Sequence, residues 1–348
     1  MNDMEILIIK LGAIGDVLRT TFVARGLKEK YPQCSITWLT QENSKSLLEN
    51  NDSIDFIVGW NSSNTISGKV FDIVYSLDDE QEACEFATNL AKKTMHGAYL
   101  DAAGKKTYTE SVEDWFGMGL LRSEEKGGKA RADELKMRNR RTFQDIYSQI
   151  FGIQGMQNKR PTLNLTEAEK RFGETLTEPY KKAKSMRLIG INAGAGARWP
   201  LKRLTVEKAA QLCNELAKDA DASIFLLGGA NEDIQNRSIK SLCPSERIVL
   251  PEATDDIRIF SSIINAMDLI ITADSLALHI ALALKKKTVC FFGPTSPWEI
   301  DMFGDGRKVF SESDCLACYK KELNGRQSCI DLVMPEQLVQ AAKELLPA

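Results

Sequence analysis

Short apolar segments alternate with amphipathic ones along the first half of the chain. Strands are predicted at EILIIKL, SITWLT, IDFIVGW and DIVYSL, and helices at DVLRTTFVARGLKEKYP, SKSLLENN, DEQEACEFATNLAKK and RNRRTFQDIYSQIFGI. Residues 100–135 interrupt this rhythm because they are rich in Gly, Lys and Glu, which indicates loops with short helices. Strands that alternate with helices are typical of a parallel sheet covered by helices.

The alternation returns after a polar segment, QNKRPTLNLTEAEKRFGETL, in which a helix is predicted after Thr166. Strands follow at RLIGINAGAG, SIFLLGG, RIVLP, DLIITAD and KTVCFFGP, and helices at VEKAAQLCNELAKD, DIRIFSSIINAM, LALHIALAL and PEQLVQAAKELL. The pattern predicts an α/β fold with domains over residues 1–165 and 166–334, and a final helix in 335–348 that packs back on the first domain. Open α/β sheets bind ligands beyond the carboxyl ends of their strands, so we expect the functional site in a cleft between the domains.

The composition is that of an ordinary soluble globular protein. The 348 residues are 43% hydrophobic and carry a net charge of −3, which gives no general attraction to nucleic acid. The opening MNDMEILIIK lacks the apolar core of a secretion signal. The most apolar stretch, IINAMDLIITADSLALHIALAL, is interrupted by Asp268, Asp274 and His279, which argues against a membrane helix. With eight cysteines and no secretion signal, we expect a cytoplasmic protein.

Four predicted strand ends in the second half carry residues suited to a nucleotide diphosphate. In chain order, these candidate donor-binding residues are Gly194, Gly196, Lys202, Arg203, Glu232, Asp274, Ser275, His279 and Thr295. Glycines let backbone N–H groups approach phosphate, and a lysine adds a mobile charge. A carboxylate can accept hydrogen bonds from ribose hydroxyls, and a helix N-terminus attracts a diphosphate. Each feature alone has an ordinary explanation as a turn, a cap or a core histidine, but their recurrence favours a nucleotide-diphosphate site.

The first half contains KLGAIGDVLRT, with two glycines at a strand-to-helix turn, a pattern that usually indicates a phosphate site. Asp16 follows the second glycine, and its charge would repel an anion there. Asp16 can serve as a helix N-cap or as a general base, since an ordinary aspartate has a pKa of about 3.9 and is ionised at pH 7. Because the second half supplies a separate diphosphate site, we favour the general base.

The chain resembles the ADP-heptose:lipopolysaccharide heptosyltransferases, glycosyltransferase family 9, in four segments of matching order: KLGAIGDVLRT, GAGARWPLKRLT, LLGGANED and ITADSLALHIALALKKKTVCFFGPTSP. The resemblance implies a GT-B fold, in which two Rossmann-like domains face each other across a cleft. It also implies an inverting, metal-independent transfer of heptose from ADP-heptose to a lipopolysaccharide core or related cell-envelope glycan, with no required cofactor.

The resemblance further implies roles for single residues. It matches Asp16 to the catalytic base, Lys202 to the phosphate-binding lysine, Glu232 to the ribose-binding glutamate, and Asp274 and His279 to the donor-binding pair of a D-T/S-G-x-x-H pattern. That pattern is DSLALH here, so Leu276 stands at its glycine. This departure leaves two alternatives open: a GT-B transferase for another nucleotide sugar, UDP- or GDP-linked, or a homologue that binds a nucleotide sugar without turnover.

Acceptor binding is expected in the first domain. Residues 126–141 carry seven basic side chains against two acidic ones, and arginines bind phosphate in bidentate fashion. A solvated helix face explains this run equally well. We select Arg138 and Arg141 from it, together with Gly15 and Arg19, as candidate contacts to an anionic glycan or glycolipid acceptor. Such an acceptor would place the protein at the cytoplasmic face of the inner membrane, as a peripheral contact.

Three cysteines near the C-terminus follow a C-x2-C-x10-C pattern, at Cys315, Cys318 and Cys329. Thiolates with this spacing can hold zinc or iron if a fourth ligand comes from elsewhere in the fold. Reduced structural thiols, or an occasional disulfide, are the alternative that we favour.

Overall fold

The computed structural model describes residues 4–121, 124, 127–156, 158–181, 186–196, 199–219, 221–312, 317–320 and 328–346. Contacts divide the chain into two compact units, each with its own core. The first unit comprises Met1–Leu163 and Trp298–Asp301, and the second comprises Asn164–Pro297 and Met302–Ala348.

One parallel sheet organises the first unit. Its described strands are β1 (Glu5–Ile9), β2 (Ser35–Thr40), β3 (Phe56–Gly59), β4 (Val70–Ser76), β5 (Ala91–Leu100) and β6 (Lys106–Tyr108). Their order is β3-β2-β1-β4-β5-β6, and only the β5–β6 pair is antiparallel among them. Central β1 is buried on both faces, with Ile6 and Ile8 in one hydrophobic cluster and Leu7 and Ile9 in another. Burial on both faces explains why its sequence is continuously apolar.

Helices and short turns cover this sheet. The helices are α1 (Ile14–Thr20), α2 (Phe22–Lys30), α3 (Gln81–Asn89), α4 (Glu113–Trp115), α5 (Gly128–Arg138) and α6 (Phe143–Ile150). Shorter 3-10 turns lie at Glu42–Leu47, Trp60–Ile66 and Glu110–Val112, and a π turn lies at Phe116–Leu120. Helix α6 begins at a capping box in which the side chains of Thr142 and Asp145 bond each other's backbone N–H groups.

The strand β5 corrects the sequence prediction. DEQEACEFATNLAKK was expected to be one helix, but the helix ends at Asn89 and the chain is extended from Ala91. Pairing with β4, which begins at Val70 opposite Ala91, overrides the local helical pattern. Gly97 has a φ of +123°, and a Cβ there would lie 1.8 Å from the carbonyl oxygen of Ser76, so this close strand approach requires glycine.

The second unit repeats the α/β architecture. Its described strands are β7 (Arg187–Asn192), β8 (Ala222–Leu226), β9 (Ile248–Val249), β10 (Leu269–Ala273), β11 (Lys287–Phe291) and β12 (Gly306–Val309). They form a parallel sheet in the order β12-β11-β10-β7-β8-β9. Its helices are α7 (Glu167–Thr177), α8 (Val206–Asp219), α9 (Ala230–Ser241), α10 (Ile257–Ala266), α11 (Leu276–Ala283) and α12 (Pro335–Leu345). Two Rossmann-like units, each with a helix-covered parallel sheet, confirm the predicted α/β fold class.

Helix α12, which was predicted to pack back on the first domain, groups with the second unit. Its apolar face, formed by Leu338, Ala341, Ala342 and Leu345, is buried in the hydrophobic core of that unit. The unit's own sheet and α8 therefore cover the apolar stripe of α12.

The most apolar stretch of the sequence is divided among three elements, α10, β10 and α11. In the described part of the chain, no helix combines the length and the apolar character needed to cross a bilayer. The apolar residues of this stretch instead form the interior of the second unit.

Candidate active site

Three residues from separate sequence motifs meet in the second unit. Lys202 ends the 3-10 turn Pro200–Lys202, Asp274 follows β10, and His279 lies in α11. The ammonium group of Lys202 donates to a carboxylate oxygen of Asp274 at 2.9 Å and to its backbone carbonyl at 2.9 Å. His279 Nε2 lies 3.9 Å from the other carboxylate oxygen of Asp274. We call these three residues the Lys202 cluster; its side chains are 7–15% exposed.

Two hydroxyl groups after β11 are buried without a hydrogen-bond partner among the described residues. They belong to Thr295, which is 5% exposed, and Ser296, which is 2% exposed. The turn that carries them contacts the lysine turn, because a Cβ on Gly293 would lie 2.4 Å from the carbonyl oxygen of Leu201. A buried hydroxyl left unpaired costs about 1–3 kcal/mol, so the pair is suited to bind ligand oxygens.

Glu232 joins the two glycine-rich turns of the second unit. Its carboxylate accepts hydrogen bonds from the backbone N–H groups of Gly196 at 3.0 Å and Gly229 at 3.1 Å. A Cβ on Gly194 would lie 2.4 Å from Cγ of Glu232, so the Glu232 side chain occupies the space that a side chain at position 194 would need. The guanidinium of Arg203 donates to the carbonyl oxygen of Gly196 at 3.1 Å. Glu232 and Arg203 therefore shape the turn that was predicted to cradle phosphate.

Ser275 and Leu276 form the start of α11. Ser275 occupies the N-cap position without a side-chain cap, and its hydroxyl lies 3.1 Å from that of Thr272. Leu276 is the first helical residue and is partly exposed, two positions after the Asp274 of the Lys202 cluster. A branched apolar side chain therefore flanks the cluster where the resemblance expects glycine.

Asp16 lies in the first turn of α1 in the other unit, next to Gly15. The N-cap of this helix is Ala13, so the alternative interpretation of Asp16 as an N-cap is wrong. The Asp16 side chain is 40% exposed, and one carboxylate oxygen lies 3.0 Å from Nε of Arg19. The guanidinium of Arg19 also lies over the ring of Phe143, 4.0 Å from its centroid.

A buried ion pair that the sequence analysis missed supports the chain segment before Asp16. The ammonium group of Lys10, just after β1, donates to the carboxylate of Asp78, just after β4, and to the carbonyl oxygen of Gly12. Asp78 also accepts the backbone N–H of Leu11. Burial raises the pKa of Asp78 to about 6, with Lys10 opposing the shift, so the carboxylate is ionised at pH 7. The sequence offered two signals for this pair: a lysine that follows an apolar strand, and an aspartate just past a neighbouring strand.

Replacing Asp78 with asparagine is expected to lower the free energy of unfolding by about 3–5 kcal/mol, because it leaves the Lys10 ammonium buried without a counter-charge. Both side chains of the pair are less than one-tenth exposed. Urea denaturation at pH 7 measures the change. The double variant Lys10→Met, Asp78→Leu should lose less than Asp78→Asn alone, since it removes both charges. A single variant as stable as the native protein would contradict a buried charge pair.

A cavity of about 430 Å³ lies within the first unit, beside α5. Among its described lining residues are four arginines and two carboxylates: Arg131, Arg138, Arg140, Arg141, Glu113 and Asp114. The fold thus brings the predicted acceptor residues Arg138 and Arg141 into one lining. Arg141 pairs with Asp114 at 2.7 Å, and Arg140 stacks on Trp298 at 3.7 Å. The excess of guanidinium groups makes the cavity suited to an anion.

The proposed cysteine site falls partly outside the described residues. Cys315 lies outside them, Cys318 is partly exposed and Cys329 is buried. Among the residues that the structure describes, no group of three or more His, Cys, Asp or Glu side chains is arranged to hold a metal ion.

Comparison with known proteins adds a family match to this geometry. The profile of glycosyltransferase family 9 (heptosyltransferase) matches residues 64–326, about three-quarters of the chain. Lipooligosaccharide heptosyltransferase 2 of Campylobacter jejuni is 27% identical over 176 residues, 46% of this chain and 51% of that protein. The chain therefore spans about half the length of that relative. Lipopolysaccharide heptosyltransferase 1 of Campylobacter coli is 23% identical over 98% of this chain and 99% of that protein.

Solved structures share the fold over nearly the whole chain. A glycosyltransferase family 9 protein from Veillonella parvula superposes with a TM-score of 0.76 at 18% identity, covering 99% of this chain and 98% of that one. The E. coli heptosyltransferase WaaC, solved with ADP-2-deoxy-2-fluoro heptose, superposes with a TM-score of 0.62 at 13% identity, covering 98% and 99%. These likenesses confirm the GT-B fold class.

Proposed function

Because the chain belongs to glycosyltransferase family 9, the heptosyltransferase family, we propose that it transfers a heptose from ADP-heptose to a phosphorylated glycan of the lipopolysaccharide core. The observation that carries this proposal is the Lys202 cluster together with the hydroxyls of Thr295 and Ser296, which are buried and have no hydrogen-bond partner among the described residues. A cation and hydroxyl donors are groups that bind the oxygens of a diphosphate.

The donor would be bound by groups that stabilise its leaving charge. As the bond between the anomeric carbon and the diphosphate oxygen breaks, ADP gains negative charge. We assign Lys202 and the hydroxyls of Thr295 and Ser296 as the donors that stabilise this charge. Glu232 would accept hydrogen bonds from the ribose hydroxyls, in exchange for the backbone N–H groups that it accepts in this structure. WaaC, which shares the fold, was solved with ADP-2-deoxy-2-fluoro heptose, and this supports the choice of nucleotide.

The acceptor hydroxyl must lose its proton as its oxygen attacks the anomeric carbon. Asp16 is half-exposed, so its carboxylate is accessible, and we assign it as the general base that takes this proton. One new C–O bond forms and one breaks on opposite faces of the sugar, so the configuration inverts. The charge on the leaving group is balanced by protein donors, and no metal is required by this scheme.

The acceptor is proposed to place its phosphate groups in the arginine-lined cavity of the first unit. Arg138 and Arg141 are the residues that we assign to this contact. Their carboxylate partners, Glu134 and Asp114, are at least 40% exposed, so these ion pairs are weak and can be exchanged for a phosphate. An acceptor of this class is assembled on a membrane lipid, so we propose action at the cytoplasmic face of the inner membrane.

Two measurements test the proposed function. In thermal-shift titrations with ADP, UDP, GDP and CDP, we expect ADP to raise the melting temperature most, because a ligand that binds the folded state stabilises it. In the second measurement, the protein is incubated with ADP-heptose and either a phosphorylated core glycan or the same glycan after phosphatase treatment. Mass spectrometry should show the addition of one heptose, faster on the phosphorylated acceptor.

Specific results would contradict the proposal. Stabilisation by UDP or GDP, and not by ADP, would identify a different nucleotide-sugar donor. Binding of ADP without product from any acceptor would indicate a homologue that binds the nucleotide sugar without turnover. Equal rates with both acceptors would remove the assigned role of the arginine-lined cavity.

A further inference from the structure

We propose that Arg19 is a positioning residue that holds the Asp16 carboxylate in place for catalysis. The proposal rests on the function assigned to Asp16 above and adds a residue to it. Arg19 lies three positions after Asp16 on α1, and its Nε is 3.0 Å from a carboxylate oxygen of Asp16. Sequence analysis selected Arg19 as an acceptor contact, but its side chain is only 12% exposed, against 40% for Asp16.

Two aromatic rings hold the guanidinium of Arg19. Its central carbon lies 4.0 Å from the ring centroid of Phe143 and 5.1 Å from that of Trp115. Both distances are within the range of a cation–π interaction, which strengthens when the cation is shielded from water. We call Trp115 and Phe143 the aromatic clamp.

The clamp is itself anchored in the core of the first unit. The rings of Trp115 and Phe143 meet edge to face at 5.0 Å and 82°. Phe143 packs on Tyr147, one turn later on α6, with 3.9 Å between the ring centroids. The buried ring of Phe22 contacts the rings of Phe143 and Tyr147. Phe22, Phe143 and Tyr147 are buried, and the partly buried Trp115 packs against this core. The clamp therefore restricts the position of Arg19, and Arg19 in turn restricts the rotamer of Asp16.

The Asp16–Arg19 ion pair contributes more to the position of the carboxylate than to the stability of the fold. An ion pair between residues three apart on a helix contributes little to folding when one partner is partly exposed. A general base, however, must lie within hydrogen-bond reach of the acceptor hydroxyl, and a displacement of about 1 Å can reduce a rate by about 100-fold.

The test separates positioning from acceptor binding. We expect Arg19→Gln to lower kcat by about 10- to 100-fold, with the KM values for donor and acceptor changed by less than about twofold. Arg19→Lys should recover only part of this loss, since an ammonium group lacks the planar face that stacks on the clamp. The matched control is Lys170→Gln, which removes a salt bridge of the same spacing, to Glu167 on α7. This control should leave kcat unchanged.

Chemical rescue distinguishes positioning from a purely structural role of Arg19, because added guanidinium would not restore activity to a misfolded variant. In Arg19→Ala, free guanidinium at millimolar concentration should enter the space at the clamp and restore part of kcat, whereas the same concentration of sodium should not. If Arg19→Ala fails to fold, Trp115→Leu replaces it, because it loosens the clamp without altering either charged residue. We expect Trp115→Leu to lower kcat in the same direction, by a smaller factor.

Three outcomes would overturn the proposal: a raised acceptor KM with an unchanged kcat, unchanged kinetics in Arg19→Gln, or a loss of activity that follows a lowered melting temperature and resists guanidinium. Failure of this inference is distinguishable from failure of the proposed function. If Asp16→Asn is inactive and Arg19→Gln has native kinetics, only the positioning role is lost. If Asp16→Asn keeps native activity, Asp16 is not the general base, and the positioning role of Arg19 is overturned with it.

Discussion

Asp16→Asn is expected to reduce sugar transfer by about 10²- to 10⁴-fold, the range contributed by a positioned acid–base group. Asparagine has nearly the same size as aspartate but cannot take up the proton of the acceptor hydroxyl at pH 7. Single-turnover product formation at saturating ADP-heptose measures the chemical step directly. ADP should still raise the melting temperature as in the native protein, because the residues proposed to bind ADP all belong to the second unit.

The matched control for this prediction is Asp52→Asn, which makes the same chemical change at an exposed position of the first unit. It should transfer sugar at the native rate. Native activity in Asp16→Asn would remove Asp16 from the mechanism. Loss of ADP binding in the same variant would instead point to a wider structural change, which urea denaturation would reveal.

Lys202→Met is expected to lower kcat/KM by about 10²- to 10³-fold, comparable to the loss of one preorganised donor at a developing negative charge. Methionine keeps most of the length of the side chain and removes the charge. It also leaves the mostly buried carboxylate of Asp274 without its lysine partner, at 2.9 Å in the native structure. We therefore also expect weaker ADP binding, which calorimetric titration measures. We expect kcat to decrease as well, and not only KM to rise.

Lys218→Met provides the comparison for Lys202→Met, because Lys218 is an exposed lysine of the same unit, paired with Glu215 on α8. It should bind ADP and transfer sugar like the native protein. If Lys202→Met raised KM and left kcat unchanged, Lys202 would stabilise the bound substrate and the transition state equally. If both parameters stayed native, the assignment of the diphosphate to the Lys202 cluster would be wrong.

Much of the secondary structure could be predicted because hydrophobic periodicity is a local property. The segments Ser35–Thr40 and Val206–Asp219 have their predicted bounds. The prediction failed at β5, where AKKTMHGAYL continues the apparent helix and shows no strong alternation. Its conformation comes from pairing with β4, which the periodicity of its own residues cannot predict.

The candidate site was predictable as a set of residue types, and less so as a set of contacts. Glycines, hydroxyls and charges at the ends of apolar runs marked the second unit, and the fold places Lys202 and Asp274 together there. Arg19 illustrates what the sequence did not predict. Its role as an acceptor contact stays a prediction, but its packing against Trp115 and Phe143 depends on residues that are distant in the sequence.

The sequence by itself determined the α/β alternation, the two halves and the residues available at each strand end, because these follow from local hydrophobic pattern and turn chemistry. Only the tertiary structure decided which charges meet. Lys202 and Asp274 are 72 positions apart, and Lys10 and Asp78 are 68 positions apart. Such pairs form when sheet assembly brings strand ends together and removes water from around them, so that each buried charge requires its partner.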